Sequence, residues 1–192
     1  MSLSGYKIAI VIGGSETVFS EIEQARLLTL PFARENIELF VINDTIPILP
    51  DHIHHAVTLH PVKLADWLHK RRQNGYPPPG DIWAHRKNLS NEANINFWTD
   101  DWGGSSGLLA VKVATQLNFD KIILCGVPMD TGKHFLRQTG WNACFAFRRG
   151  WERQMRDLLP YVRSYSGWTR DQLGEPTADF LTEIPSLTTG PR

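Results

Sequence analysis

Residues 104–126 read Gly-Ser-Ser-Gly-Leu-Leu-Ala-Val-Lys-Val-Ala-Thr-Gln-Leu-Asn-Phe-Asp-Lys-Ile-Ile-Leu-Cys-Gly, and this stretch decides the fold class. Ser105 or Ser106 reads as an N-cap. Leu109, Val113 and Leu117 recur at intervals of four, and Asn118 closes the helix they predict. Residues 121–125 (KIILC) follow as a strand without polar alternation, ended by Gly126. A strand of that kind is buried on both faces, as in a parallel sheet covered by helices on each side.

The same alternation of elements extends outward. Residues 6–12 form a β-branched run ending in Gly13-Gly14-Ser15. From Glu16 the pattern is helical: Val18, Ile22 and Ala25 share a face, Ser15 is the expected N-cap, and three glutamates fall in the first two turns. Residues 38–43 (ELFVIN) and 55–59 are the next strands, separated by a break over 47–51. His60-Pro61 opens a helix with Leu64, Trp67 and Leu68 on one side. A proline loop over 74–80 precedes a short strand at 82–84. Residues 86–104 are polar, carry four asparagines and read as an irregular excursion. A helix from about Trp141 places Phe147, Trp151, Met155 and Leu158 on one face until Pro160 stops it. Residues 162–165 give a last strand, and the chain from Thr169 is short-helical at best. The expectation is one doubly wound, Rossmann-like α/β domain with a mainly parallel sheet over 1–192. Residues 1–4 are set aside as start-codon and cloning sequence, and 175–192 as a tail.

Composition narrows the class. The 192 residues are 42% hydrophobic and 21% charged, with twenty Lys and Arg balancing twenty Asp and Glu. Zero formal charge argues against a nucleic-acid coat protein and a polybasic membrane binder. The longest apolar run near the start, 8–12, is too short to span a bilayer and lacks signal-peptide flanks. Cys125 and Cys144 form no CxxC pair and no disulfide scaffold. A cytoplasmic location is expected.

In an open parallel sheet, ligands bind beyond the carboxyl ends of the strands. Those positions hold Gly13, Gly14 and Ser15, then Asn43 and Asp44, then His60, then Ser105, Ser106 and Gly107, and finally Gly126 to Asp130. Small residues admit a ligand close to the backbone, and helix N-termini offer unpaired N–H groups to anions. Gly107 in particular is expected to serve backbone approach, so that Gly107→Val removes ligand binding and leaves the fold intact. The competing reading for each glycine is a tight turn or close packing. Neither GxGxxG nor a Walker lysine is present.

On residues 104–126 the chain resembles two groups of Rossmann-type proteins. One is the bacterial sialyltransferases. The other is the MptE-like group, which includes 6-hydroxymethylpterin diphosphokinases and uncharacterised phage and prophage proteins. The resemblance implies that Ser106 and Gly107 lie against a bound nucleotide, that Asn43 fixes its sugar or base, and that the activity is glycosyl or diphosphoryl transfer from a nucleotide donor. The chain departs from the group pattern at Glu16, beside the first glycine turn, and at Val127-Pro128, which follow Gly126 and leave Asp130 two places late. These departures favour the alternative of a non-catalytic nucleotide-binding or accessory protein.

Residues 131–170 carry eight basic side chains against two acidic ones. Lys133, Arg137 and Arg148 are the candidate counter-charges for a phosphorylated ligand; Arg153 and Arg156 read as a solvated helix face. His134 is the candidate acid or base, against the plainer reading of a surface-loop histidine. The cluster at His52, His54 and His55 enters a strand, where alternation separates the side chains, and no metal site is expected. Among seven tryptophans, Trp67 and Trp151 read as core. Trp98 and Trp102 flank Asp100-Asp101, where they line a pocket or pin the loop. The expected partner is a small-molecule nucleotide or nucleotide sugar; no cofactor, metal requirement or oligomeric state follows from these residues.

Overall fold

The computed structural model describes residues 6–85, 95, 97–99 and 102–183. A seven-stranded sheet organises them, built from β1 (Ile8–Ile12), β2 (Ile37–Ile42), β3 (His55–Thr58), β4 (Asp81–His85), β5 (Phe97–Thr99), β6 (Lys121–Cys125) and, after a small hairpin, β9 (Val162–Ser164). Its order is β5-β4-β3-β2-β1-β6-β9, and every neighbouring pair is parallel. The chain therefore steps outward from β1 to β5 on one side, then returns to lay β6 and β9 on the other. The reversal lies between β1 and β6, where Ile8 stands opposite Lys121 and Ile12 opposite Cys125. The Rossmann-like α/β class read from the sequence is the observed one.

Alternation along the strands assigns the two faces. Ala9, Val11, Phe40, Val57, Ile122 and Leu124 pack under α3 (Ser106–Gln116), with Trp151 and Leu158 of α4 (Cys144–Leu158) and Leu173 of α5 (Gly167–Leu173). Ile8, Ile10, Ile12, Val41, Ala56 and Ile123 pack under α1 (Val18–Thr29), α2 (Leu64–Gln73) and α6 (Ala178–Thr182). Each fully buried aliphatic side chain contributes about 1.5–3 kcal/mol. Both faces of β1 and β6 are closed, which is why neither strand alternates in sequence.

Four local readings are corrected. The excursion expected over 86–104 contains β5, while Asp100 and Asp101 lie outside the described residues. The loop after Gly126 contains an antiparallel hairpin, β7 (Lys133–His134) and β8 (Arg137–Gly140). Its sequence, KHFLRQTG, lacks the alternating β-branched residues that mark a strand. α4 begins at Cys144, three residues after Trp141. The region expected as a tail from 175 folds through α6, where Phe180 and Leu181 are buried. The Phe180 ring lies 4.5 Å from Lys121 Nζ and 4.4 Å from Arg163 Cζ, so two cations dock this helix onto the sheet.

Candidate nucleotide cleft

A cavity of about 440 Å³ opens over the carboxyl ends of β1, β2, β3 and β6, within the range of small-ligand sites. Of the residues singled out from sequence, its wall includes Gly14, Ser15, Asn43, Asp44, His60, Ser105, Ser106, Gly107, Gly126, Lys133, His134 and Arg137. Two do not line it. Gly13 lies beneath, donating its N–H to Cys125 O at 2.7 Å and accepting from Thr45 Oγ1 at 2.6 Å. Arg148 donates from Nε to the Met129 carbonyl at 2.8 Å and lies over the Phe145 and Trp168 rings. That side chain braces the loop after β6 and does not face the ligand space.

At the centre of the wall, Asn43 follows β2 with φ +53°, a left-handed conformation that Asn tolerates better than most residues. Its Oδ1 accepts from Thr58 Oγ1 at 2.8 Å and from Ser106 Oγ at 3.2 Å. Ser106 Oγ in turn accepts from Leu59 N at 3.1 Å. The ends of β2 and β3 and the start of α3 are thus tied together by side chains. Ser105 is the N-cap of α3, accepting from Leu108 N at 3.4 Å and from Trp151 Nε1 at 3.3 Å. The first turn of α3 is thereby anchored to the core.

Asp44 carries the charge. Its Oδ1 accepts from Trp67 Nε1 at 3.0 Å, while Oδ2 lies 3.2 Å from Arg137 Nη2 and 3.7 Å from His134 Nε2. Trp67, read from sequence as core, is buried and also reaches this wall. Burial lowers the pKa of His134, Asp44 raises it and Arg137 lowers it, with a net downward shift from 6.5. His134 Nδ1 accepts from Leu136 N at 3.1 Å. A neutral ring that accepts at Nδ1 holds its proton at Nε2. His134 therefore presents an N–H donor toward Gly14 and Asp44, which narrows the acid-or-base reading. His60 is also shifted below 6.5, first by burial and then by Lys63, against a rise from Asp44.

The glycine turn after β1 is used differently from the expectation. Ser15 N donates to Gly126 O, Glu16 N to Lys133 O, and Gly126 N to Glu21 Oε2. These amides are engaged within the protein. Gly107 is a packing glycine, since a Cβ there would stand 2.7 Å from Val127 Cγ1. Gly107 also lines the cavity, so packing and ligand approach both bear on Gly107→Val.

Sequence reading missed part of the wall. Thr139, Gly140 and Trp141 come from the unrecognised hairpin and its exit. Trp141, 39% exposed, stacks on Phe147 with ring centroids 5.6 Å apart. The one available signal was an aromatic residue just upstream of an amphipathic helix. Trp151 is fully buried, as read, and Trp102 packs partly buried against the α3 face. His55 is buried against Phe40, with Nε2 2.8 Å from Glu38 Oε2. Among the described residues no group of three or more His, Cys, Asp or Glu is placed to share a metal ion. No described helix is long and apolar enough to cross a membrane.

Comparison with known proteins places the fold. The chain is similar to solved structures of bacterial sialyltransferase CstII. One, described as a complex with a trisaccharide acceptor and CMP, superposes with a TM-score of 0.58 at 14% identity, over 90% of this chain and 87% of the other. A second, from Campylobacter jejuni and described with the substrate analogue cytidine-5'-monophosphate, gives 0.57 at 13% identity over the same shares. No family model and no curated protein matches the sequence. At this identity the likeness establishes the fold.

Proposed function

We propose that the chain is a nucleotide-binding transferase that moves a glycosyl group from a nucleotide-sugar donor. The carrying observation is the position of the cleft: it lies at the reversal of strand order, on a fold similar to enzymes whose complexes hold CMP. Asn43 and Ser106 hold the nucleoside. Lys63, Lys133, Arg137 and the His134 Nε2–H group balance the phosphate as the glycosyl bond breaks and negative charge gathers on the leaving oxygen. His60, whose pKa is held below the usual 6.5 first by burial and then by Lys63, takes the acceptor proton. Diphosphoryl transfer, the activity implied by the MptE-like resemblance, is the other form of this reading. The solved structures with sialyltransferase folds favour the glycosyl form.

A second reading, a nucleotide-binding module without turnover, draws support from His134, whose Nδ1 lone pair is engaged by Leu136 N–H. Calorimetric titration with CMP, other nucleoside mono- and diphosphates and nucleotide sugars tests both. Saturable binding followed by transfer or hydrolysis of the donor supports the transferase. Binding without turnover selects the module, and no binding at millimolar concentration rejects both.

A further inference from the structure

Glu21 is 3% exposed and takes no part in the proposed chemistry. From sequence it belongs to the polar first turns of α1; in the structure it points inward, beneath the reversal of strand order. Its Oε2 accepts from Gly126 N at 2.6 Å and its Oε1 from Thr17 Oγ1 at 2.5 Å. Thr17 Oγ1 is also 2.8 Å from Ser15 Oγ. One carboxylate thus grips the turn after β6 directly and the turn after β1 through two hydroxyls.

The linkage continues into the hairpin. Ser15 forms an isolated antiparallel bridge with His134, Glu16 N donates to Lys133 O, and Phe135 N donates to Gly14 O. The turn that Glu21 stabilises is therefore the one on which the hairpin bearing Lys133, His134 and Arg137 is seated. A carboxylate accepts more strongly than a neutral group, and its burial is tolerated because both oxygens are paired.

We propose that Glu21 is a positioning residue of the cleft, holding the β1 and β6 turns and the docked hairpin in one arrangement. Its consequence for ligand binding rests on the nucleotide reading; the seating of the hairpin does not.

The test uses the full chain and four variants. Glu21→Leu removes both contacts, Glu21→Gln restores the shape with a neutral acceptor, and Thr17→Val, at an exposed position, removes the hydroxyl that joins Glu21 Oε1 to Ser15 Oγ and leaves the Oε2 contact with Gly126 N in place. Thr29→Val is the control: this buried hydroxyl in the same helix bonds Ala25 O and Arg26 O. Amide hydrogen exchange over 126–141, without ligand, is expected to quicken at least tenfold in Glu21→Leu and to recover largely in Glu21→Gln. In Thr17→Val it should quicken over 133–140, with Gly126 unchanged. Thr29→Val should leave 126–141 as in the parent. CMP Kd should rise at least tenfold in Glu21→Leu and stay within twofold in Thr29→Val. Exchange over 126–141 that responds equally to Glu21→Leu and Thr29→Val overturns the proposal, as does unchanged hairpin exchange in Thr17→Val. If Glu21→Leu does not fold, Thr17→Val decides. If the parent binds no nucleotide, the transferase reading fails separately and exchange alone decides the role of Glu21.

Discussion

Asn43 and Ser106 lie 63 residues apart in the chain and share a 3.2 Å hydrogen bond over the strand ends. The contact joins the end of β2 to the start of α3, and Thr58 closes it from β3. Asn43→Ala removes the acceptor for two hydroxyls and puts a Cβ-bearing residue with no local hydrogen bond at φ +53°. The expected loss is about 3 kcal/mol, from about 1 kcal/mol for each of the two hydrogen bonds and about 1 kcal/mol for the left-handed conformation. CMP affinity should fall at least tenfold. Asn43→Gly relieves the backbone and should recover only that share of the stability, about 1 kcal/mol, and none of the affinity. Urea denaturation and calorimetry read the two effects apart; parent-like CMP binding by Asn43→Ala removes Asn43 from the site.

Much of this arrangement was legible because strand ends in a parallel sheet converge whatever the side chains. The apolar run over 121–125 marked β6, and the small and polar residues after each strand marked about half of the wall. What stayed hidden depends on contacts across the chain. KHFLRQTG carries no strand signal, since its hairpin is held from outside by Gly14, Ser15 and Glu16. Glu21 read only as one of three glutamates in the first two turns of α1, because its partner, Gly126, is 105 residues away. Arg148 looked available because nothing in the sequence announces that Met129 O needs a donor.

Stability should decline toward acid. His54, His60 and His134 all have pKa values lowered from 6.5, with burial the largest cause in each. Below about pH 6.5 the unfolded chain binds protons at these rings that the folded chain resists, so their stabilising contribution is full above that pH and is lost as pH falls from there through the lower folded values. Asp44 opposes the shift at His60 and His134. Asp44→Asn should therefore move both titrations lower still. Melting curves between pH 5 and 7.5 and NMR titration of the ring protons provide the check. A Tm independent of pH in that window, or an upward shift in Asp44→Asn, contradicts the assignment.

Arg71 should prove costly to replace. Its side chain is fully buried and its guanidinium donates to the carbonyls of Ile46, Leu49, Asp51 and Pro77. It thereby holds the 47–51 break and the proline loop together. Arg71→Met leaves several buried carbonyls without donors, at about 3–5 kcal/mol in total. Arg71→Lys keeps the charge but cannot span four acceptors, and should lose nearly as much. Unfolding free energies from urea within about 0.5 kcal/mol of the parent, the scale on which surface changes fall, would show that the carbonyls find other partners.

Gly107 separates packing from ligand approach. A Cβ there meets Val127 Cγ1 at 2.7 Å, with Trp151 Cζ2 at 3.6 Å behind it. Val127 is 5% exposed and Trp151 fully buried, so neither can swing into solvent. The backbone is helical and gains from any Cβ, by about 1 kcal/mol. Overpacking costs about 1–3 kcal/mol and prevails for the larger side chain. Gly107→Val is thus expected to destabilise the fold and to lose ligand binding as a consequence. Gly107→Ala should fall between it and the parent. Trimming the neighbour distinguishes the causes: in Gly107→Ala combined with Val127→Ala, the coupling energy from a double-mutant cycle should be favourable, because the second change opens the space the first one needs. A Gly107→Val variant that melts with the parent yet fails to bind CMP would return Gly107 to the ligand-approach reading.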